Sequence, residues 1–290
     1  MPSHAFRIVN VFAETTFGGN PLAVFEDARG IDDTTMQALA LQFNLSETTF
    51  ILPFERATAR VRIFTPTFEM PFAGHPTLGT AHVVRALTTA GDRVTLEMIA
   101  GVIPVEAHGN TWTLEANPPR TRAVTATRAE LAAMLVLAEA DVAPDAAAPP
   151  LWVDTGSEQL VIPLASADAV RRVAPRTDLL LAHGRTGQRA MAYVFAPAAL
   201  GTAAAGESGM VVRFFFPKHG SVVEDPGTGS ACANLGGWLL ATGAALPQRL
   251  AVAQGDSIGR PCRLGLEVTA DRRIRVSGRV IELARGTVTL

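Results

Sequence analysis

The sequence predicts an α+β protein made of two similar halves, and three observations support this class. The length of 290 residues corresponds to roughly two domains. Strand-like and helical segments follow one another along the whole chain, and one strand–loop–helix motif recurs about half a chain later. Hydrophobic residues make up 48% of the chain and charged residues 18%, which supports packed cores and excludes a disordered chain.

The first half contains two predicted helices between strands. Asp32 or Asp33 is a suitable cap for a helix that ends at Asn44. A second, apolar helix follows His75 and runs to about Leu87. Strands are predicted at 6–12, 22–26, 47–52, 59–64, 94–99, 101–108 and 111–116.

The proline pair Pro118-Pro119 marks the predicted domain boundary. We expect one domain at 1–118 and a second at 119–290, with a last strand that can return to the N-terminal half. Helices are predicted at 128–140, 166–173 and 231–242, and strands at 151–156, 159–165, 189–196 and 211–216, followed by several short strands.

Composition excludes several classes of function. The net charge of −2 and the lack of any run of five like charges predict no surface for nucleic acid or anionic lipid. The N-terminal residues lack the signal-peptide pattern and no apolar run reaches ~18 residues, so we expect a cytoplasmic protein without a membrane segment. Neither the two cysteines nor the six histidines have metal-site spacing, so no metal is expected.

The recurring motif begins with a strand that ends in R-x-F-x-P. Residues 62–66 precede the sequence Gly74-His75-Pro76, and residues 213–217 precede Gly229-Ser230-Ala231. Coincidence among common residues is one interpretation, and an ancient duplication is the other. Two such halves would meet around a pseudo-twofold axis, with a ligand cleft between them. Because helix N-termini attract anions, this arrangement predicts a carboxylate-bearing substrate.

Common nucleotide and hydrolase motifs do not fit this sequence. The segments around His75 and Ser230 lack the lysine of a phosphate-binding loop, and GTGSACANLG lacks the third glycine of a dinucleotide fingerprint. The run T-G-S-A-C does not match the nucleophile elbow G-x-S-x-G. A Ser230-dependent hydrolase stays open as an alternative.

General acid–base chemistry is the class that the residues favour. Glu47 lies at a helix–strand junction, where a solvated carboxylate is the ordinary interpretation. Asp225 precedes a proline, and its ordinary interpretation is a residue that starts a turn before a helix. His75 is the more informative residue, because histidine is an unusual N-cap and its imidazole can transfer protons near neutral pH.

Four motifs resemble those of the phenazine-biosynthesis isomerase-like (PhzF) family. The motifs are FGGNPLAVF (17–25), LSETTF (45–50), RIFTPTFEMPFAGHPTLGTA (62–81) and EDPGTGSACANLGGWL (224–239), which occur in the family's order and spacing. The resemblance implies a diaminopimelate epimerase-like fold of two pseudo-symmetric α+β domains. Each domain would be a curled, mostly antiparallel sheet around a central helix, with the active site in the interdomain cleft.

The resemblance also assigns site residues. The family's catalytic residues correspond to Glu47, His75 and Asp225, and its substrate-binding residues to Ser230, Gly74, Gly229 and Asn20. Where many relatives have histidine and then cysteine after T-G-S-A, this chain has Cys232 and Ala233. No thiol precedes either central helix, which disfavours a racemase that uses two cysteines.

We therefore expect a cofactor-independent isomerase that moves a proton between carbons of a small, cyclic or unsaturated carboxylate. One carboxylate, Glu47, would remove the proton and return it on the same face, which needs a base in a water-poor site. The alternatives are an amino-acid epimerase or racemase and a non-catalytic protein that binds small acids. We also expect a homodimer whose only other partner is the substrate.

Overall fold

The computed structural model describes residues 2–144, 146, 148–201 and 206–290. The chain divides into two compact units. Unit 1 comprises Met1–Glu115 and Ser277–Leu290, and unit 2 comprises Ala116–Val276. Strands and helices are mixed in both units, which confirms the α+β class. Among the described residues, no helix is both long and apolar enough to span a membrane.

Unit 1 is built from strands around two helices. Its elements are β1 (Ser3–Val11), β2 (Asn20–Phe25), α1 (Asp33–Phe43), β3 (Glu47–Leu52), β4 (Ala59–Phe64), β5 (Glu69–Met70), α2 (Gly74–Leu87), β6 (Arg93–Met98), β7 (Gly101–His108) and β8 (Thr111–Glu115). Strand β2 pairs antiparallel with β1 and parallel with β3, which pairs antiparallel with β4. The helix α1 therefore forms the crossover between two parallel neighbours.

Local chemistry sets both ends of α1. The side chain of Asp32 accepts a hydrogen bond from the backbone N–H of Thr35, as an N-cap residue does. At the other end Asn44 adopts a left-handed conformation with φ of 50°, and its N–H donates to the carbonyl of Ala40. The predicted cap at Asp32 and the predicted stop at Asn44 are confirmed.

Helix α2 is the central helix of unit 1. It is buried along most of its length and contacts β1, β2, β3, β6 and β8. A Cβ atom at Gly79 would lie 2.7 Å from Leu22 and 2.9 Å from Val11, so glycine permits the close approach of the helix to the strands. Small residues on α2 thus place its N-terminus at a fixed position among the strands of the unit.

Unit 2 contains more elements around its own central helix. These are β9 (Arg120–Ala123), α3 (Arg128–Leu135), β10 (Leu151–Asp154), β11 (Gln159–Pro163), α4 (Ala167–Arg172), α5 (Thr177–His183), β12 (Arg185–Thr186), β13 (Arg189–Ala190), β14 (Ala192–Pro197), β15 (Ser208–Lys218), β16 (Ser221–Asp225), α6 (Gly229–Ala241), β17 (Gln248–Gln254), β18 (Cys262–Val268) and β19 (Ile274–Thr289). Residues 139–141 and 256–258 form single 3₁₀ turns. The last part of β19 belongs to unit 1, where it pairs antiparallel with β1.

The strands of unit 2 repeat the connections of unit 1. Strand β11 pairs parallel with β14, which pairs antiparallel with β15, and β15 pairs antiparallel with β16. Helix α6 is buried almost throughout and contacts β9, β10, β11 and β18. Cβ atoms at Gly236 and Gly237 would lie within 2.8 Å of neighbouring side chains. As in unit 1, small residues allow a helix to pack closely against strands.

Several elements differ from their prediction, including the short strands β5, β9 and β12, which were not predicted. The helix expected at 128–140 ends at Leu135, because Val136 adopts a left-handed conformation with φ of 58°. Helix α5 was not predicted, since the segment carries only one buried residue, Leu180. The short strands expected after the 231–242 helix are present as β17 and β18, but the last strand, β19, has 16 residues and continues from unit 2 into unit 1. Tertiary contacts set the bounds of these helices and strands, and the local propensity of the sequence does not predict them.

Candidate active site

In unit 1, the structure brings Glu47, His75, Asn20 and Gly74 together. Glu47 is the first residue of β3, Asn20 the first of β2, and Gly74 and His75 open α2. The Nε2 atom of His75 lies 3.5 Å from Oε2 of Glu47, and Nδ2 of Asn20 lies 3.5 Å from Nδ1 of His75. The side chains of His75 and Glu47 are 5% and 15% exposed. This group is the unit 1 cluster.

The imidazole of His75 is uncharged near neutral pH. Burial lowers the pKa of His75 to about 3, although a hydrogen bond to the backbone of Pro21 opposes the shift. The contact between His75 and Glu47 is therefore one between a neutral ring and a carboxyl group, not an ion pair. The N-cap of α2 is Ala73, so His75 is not the cap of its helix.

In unit 2, the structure brings Asp225, Gly229 and Ser230 to the start of α6. Asp225 is the last residue of β16, and Gly229 and Ser230 are the first two residues of the helix. The hydroxyl of Thr228, the N-cap residue, donates to Oδ2 of Asp225 at 2.5 Å. Asp225, Gly229 and Ser230, with the residues that form hydrogen bonds to them, are the unit 2 cluster.

A buried glutamine holds the loop between β16 and α6. The Nε2 of Gln254 donates to the carbonyl of Asp225 at 2.8 Å and to Oγ1 of Thr228 at 3.0 Å. Its Oε1 accepts from the backbone N–H of Thr228 at 3.1 Å. Gln254 is 1% exposed, so these hydrogen bonds form away from water. They fix the hydroxyl of Thr228 as an acceptor from Gln254 and a donor to Asp225.

Ser230 belongs to a second buried network. Its Oγ accepts from Nε2 of Gln159 at 3.0 Å, and Oε1 of Gln159 accepts from Nδ2 of Asn234 at 2.9 Å. A serine nucleophile needs a base within hydrogen-bond reach. The side-chain partner of Ser230 among the described residues is an amide, so no observation favours the hydrolase alternative.

Both cysteines are buried. Cys232 lies inside α6 and Cys262 at the start of β18, and burial raises the pKa of each thiol. Both are therefore neutral thiols at physiological pH. In the part of the chain that the structure describes, no cluster of three or more His, Cys, Asp or Glu side chains is arranged to hold a metal ion.

Sequence reasoning missed the residues that form hydrogen bonds to Asp225 and Ser230. Thr228 lies within the fourth motif, but its role as the N-cap that binds Asp225 was not recognised. Gln159 is the first residue of β11 and Gln254 the last residue of β17, and each is buried. A glutamine at the end of an apolar segment was the available signal, because a buried amide requires hydrogen-bond partners.

Comparisons with known proteins agree with the motifs. A family model described as phenazine biosynthesis-like protein matches residues 9–286. The chain is 40% identical to an uncharacterized isomerase of Pasteurella multocida, over 98% of this chain and 93% of the relative. It is 34% identical to the trans-2,3-dihydro-3-hydroxyanthranilate isomerase of Pseudomonas chlororaphis, over 99% and 100% of the two chains.

The fold is shared with a solved structure over its whole length. A PhzF family phenazine biosynthesis protein of Bacillus anthracis superimposes with a TM-score of 0.86, covering 100% of both chains at 24% identity. This match and the relatives confirm the resemblance that the four motifs indicate, and they confirm the predicted fold class.

Proposed function

This chain belongs to the phenazine biosynthesis-like (PhzF) family of isomerases, and we propose that it moves a proton between two carbon atoms of a small carboxylate. The name of the 34% identical relative describes a cyclic, unsaturated amino acid with a hydroxyl group. We propose a substrate of this class for the present enzyme. A hydrogen next to a conjugated double bond is acidic enough for a carboxylate base to remove within a water-poor site.

The observation that carries the proposal is the position of Glu47 against a neutral imidazole. A protonated histidine would hold the carboxylate in an ion pair and weaken it as a base. Because burial keeps His75 uncharged, the ring contacts Oε2 of Glu47 without adding a positive charge. Glu47 is also only 15% exposed, so little water competes for the proton that it transfers.

A single base favours a proton shift over racemisation. One carboxylate can remove a proton and return it to a second carbon on the same face of a planar intermediate. Racemisation normally needs two groups that act on opposite faces. The two cysteines do not supply such a pair, because both are buried, neutral thiols.

We assign recognition of the substrate carboxylate to the unit 2 cluster. Ser230 lies in the first turn of α6, where backbone N–H groups and the helix dipole favour an anion. The N-cap Thr228 directs its hydroxyl to Asp225 and makes no side-chain hydrogen bond to the helix. His75 would assist the transfer by stabilising charge that develops on the substrate.

The test is exchange of substrate hydrogen with deuterated water. The purified enzyme is incubated with trans-2,3-dihydro-3-hydroxyanthranilate, and mass spectrometry measures deuterium at carbon in the substrate and product. We expect incorporation by the wild type and a loss of about 10²–10⁴-fold in Glu47→Gln, the usual contribution of a general base. Incorporation that persists undiminished in Glu47→Gln would contradict the assignment of the base.

A matched control separates loss of the base from loss of any carboxylate. Glu14 lies in unit 1 with its side chain 52% exposed, so Glu14→Gln should retain the exchange rate of the wild type. Binding of the probe without deuterium incorporation by the wild type would instead favour a non-catalytic protein that binds small acids.

A further inference from the structure

Ser230 ends a chain of buried hydrogen bonds that begins at a backbone group. The backbone N–H of Thr155 donates to Oδ1 of Asn234 at 2.9 Å, and a peptide N–H can only donate. The Nδ2 of Asn234 donates to the carbonyl of Ser157 at 2.9 Å, and a carbonyl can only accept. Two backbone groups of fixed character therefore determine which end of the Asn234 amide is oxygen.

The orientation of Asn234 fixes the next amide in turn. Its Nδ2 also donates to Oε1 of Gln159 at 2.9 Å, so the opposite end of the Gln159 amide, Nε2, faces Oγ of Ser230 at 3.0 Å. Asn234 and Gln159 are 0% and 2% exposed, so water does not offer either amide an alternative partner. Ser230 must accept from Gln159.

We infer that Gln159 and Asn234 are positioning residues that keep the Ser230 proton free to donate, so that unit 2 binds an oxygen acceptor such as a carboxylate on the substrate. This inference rests on the proposed role of Ser230 in substrate binding. A serine hydroxyl has one proton and two acceptor lone pairs, and a Gln159 oxygen facing Ser230 would take up that proton and leave only lone pairs for a ligand. Among the described residues the Ser230 hydroxyl donates to no partner, so its proton is available to a ligand.

The direction of the chain can be reversed without touching Ser230. In Asn234→Asp, one oxygen still accepts from Thr155, but the other can donate neither to Gln159 nor to the carbonyl of Ser157. The Gln159 amide then turns over, donates to Asp at 234 and presents Oε1 to Ser230, whose proton it captures. We expect KM for trans-2,3-dihydro-3-hydroxyanthranilate to rise about tenfold or more with a much smaller change in kcat, because one hydrogen bond to a charged group is lost.

A double-mutant cycle distinguishes positioning from general damage. If Asn234 acts through Ser230, the double variant Ser230→Ala/Asn234→Asp should have the same KM as Ser230→Ala alone. Independent, additive increases in KM would overturn the inference. Gln159→Glu makes the same reversal one residue closer to Ser230, and it replaces Asn234→Asp if urea unfolding shows that the latter does not fold.

A neutron crystal structure of the wild-type protein tests the direction itself. Deuterium on the Gln159 nitrogen that faces Ser230, with the Ser230 deuteron pointing away from it, is the expected result. A Gln159 oxygen facing Ser230 would overturn the inference whatever the kinetics show. Exchange that survives in Glu47→Gln would refute the proposed base and leave this result unaffected, so the two failures are distinguishable.

Discussion

The two units build the same strand–strand–helix framework and place different polar side chains on it. In unit 1 the guanidinium of Arg62 on β4 binds Glu69 on β5, and in unit 2 that of Arg213 on β15 binds Glu224 on β16. Both arginines also lie over a phenylalanine two residues further along the strand, at 5.0 and 4.7 Å from the ring centre. The side-chain contacts thus repeat together with the strand order, as a duplication predicts.

The carboxylates of the unit 1 and unit 2 clusters do not occupy equivalent positions. Met70 is the last residue of β5 and Asp225 the last residue of β16, and each lies four residues before the first residue of the central helix of its unit. Methionine in unit 1 therefore corresponds to aspartate in unit 2. Strand register likewise aligns Thr48 with Ala192, which makes Met191 the counterpart of Glu47. Each unit therefore keeps one carboxylate where the other has a methionine.

The two units therefore share a backbone framework but not the chemistry placed on it. In both units, buried apolar strands and small helix residues set the backbone position of the N-terminus of the central helix. The second helical residue is a buried, neutral His75 in unit 1 and a hydrogen-bonded Ser230 in unit 2. A neutral ring beside a carboxylate suits proton transfer, and a directed hydroxyl suits recognition.

The largest effect is expected from breaking the ion pair of unit 2. Arg213 and Glu224 are 13% and 5% exposed, and Arg213 also donates to the carbonyls of Val170, Arg171 and Val173. Arg213→Met leaves Glu224 buried without its cation and should lower the free energy of unfolding by about 3–5 kcal/mol. Urea denaturation measures the loss.

The matched variant in unit 1 is Arg62→Met. Its partners Glu69 and Asp33 are 23% and 81% exposed, so water solvates the carboxylates that the variant leaves behind. We expect a loss of about 1–2 kcal/mol, well below that of Arg213→Met. Equal losses in the two variants would show that burial does not distinguish the two copies of the motif.

The next largest effect concerns stability at acidic pH. Only unit 1 has a titrating residue at the second position of its central helix. The folded pKa of His75, about 3, lies below the value of about 6.5 in an unfolded chain. The unfolded state binds more protons between these values, so the stability contributed by neutral His75 is complete above pH 6.5 and falls towards pH 3. From pH 7 to pH 4.5 the wild type should lose about 2–3 kcal/mol that His75→Asn does not lose.

Urea unfolding at the two pH values checks this prediction. Ser230→Ala changes the equivalent residue of unit 2, which does not titrate, and should retain the pH dependence of the wild type. The burial of His75 would not be the source of the acid sensitivity if His75→Asn lost stability as steeply as the wild type.

Local sequence patterns predicted the framework well. The cap at Asp32 and the stop at Asn44 depend on side chains within four residues, so single-sequence reasoning could find them. The paired R-x-F-x-P strands and the small-residue helices also recur as visible patterns. His75, Glu47 and Asn20 are brought together in unit 1 as the motifs suggested, although their roles stay predictions.

Long-range pairing limited what the sequence predicted. Gln159 contacts Ser230 across 71 positions and Gln254 contacts Thr228 across 26, so no local period relates these residues. The neutral state of His75 also follows from burial by distant strands and not from its neighbours in sequence. The length of the 128–140 helix was wrong because the left-handed turn at Val136 carries no glycine or asparagine signal.

The smallest effect is expected from exchanging the residues two positions after His75 and Ser230, which are Thr77 and Cys232. Thr77 donates its hydroxyl to the carbonyl of Ala73, four residues earlier, at 2.7 Å. In Cys232→Thr the new hydroxyl can reach the carbonyl of Thr228 in the same way, so stability should change by only about 1 kcal/mol. Turnover should also be retained, because burial raises the pKa of the Cys232 thiol and keeps it neutral.

Thr77→Cys is the reciprocal control. A loss of turnover beyond tenfold in Cys232→Thr, with urea stability intact, would give the thiol a chemical role and end the equivalence of the two helices at this position.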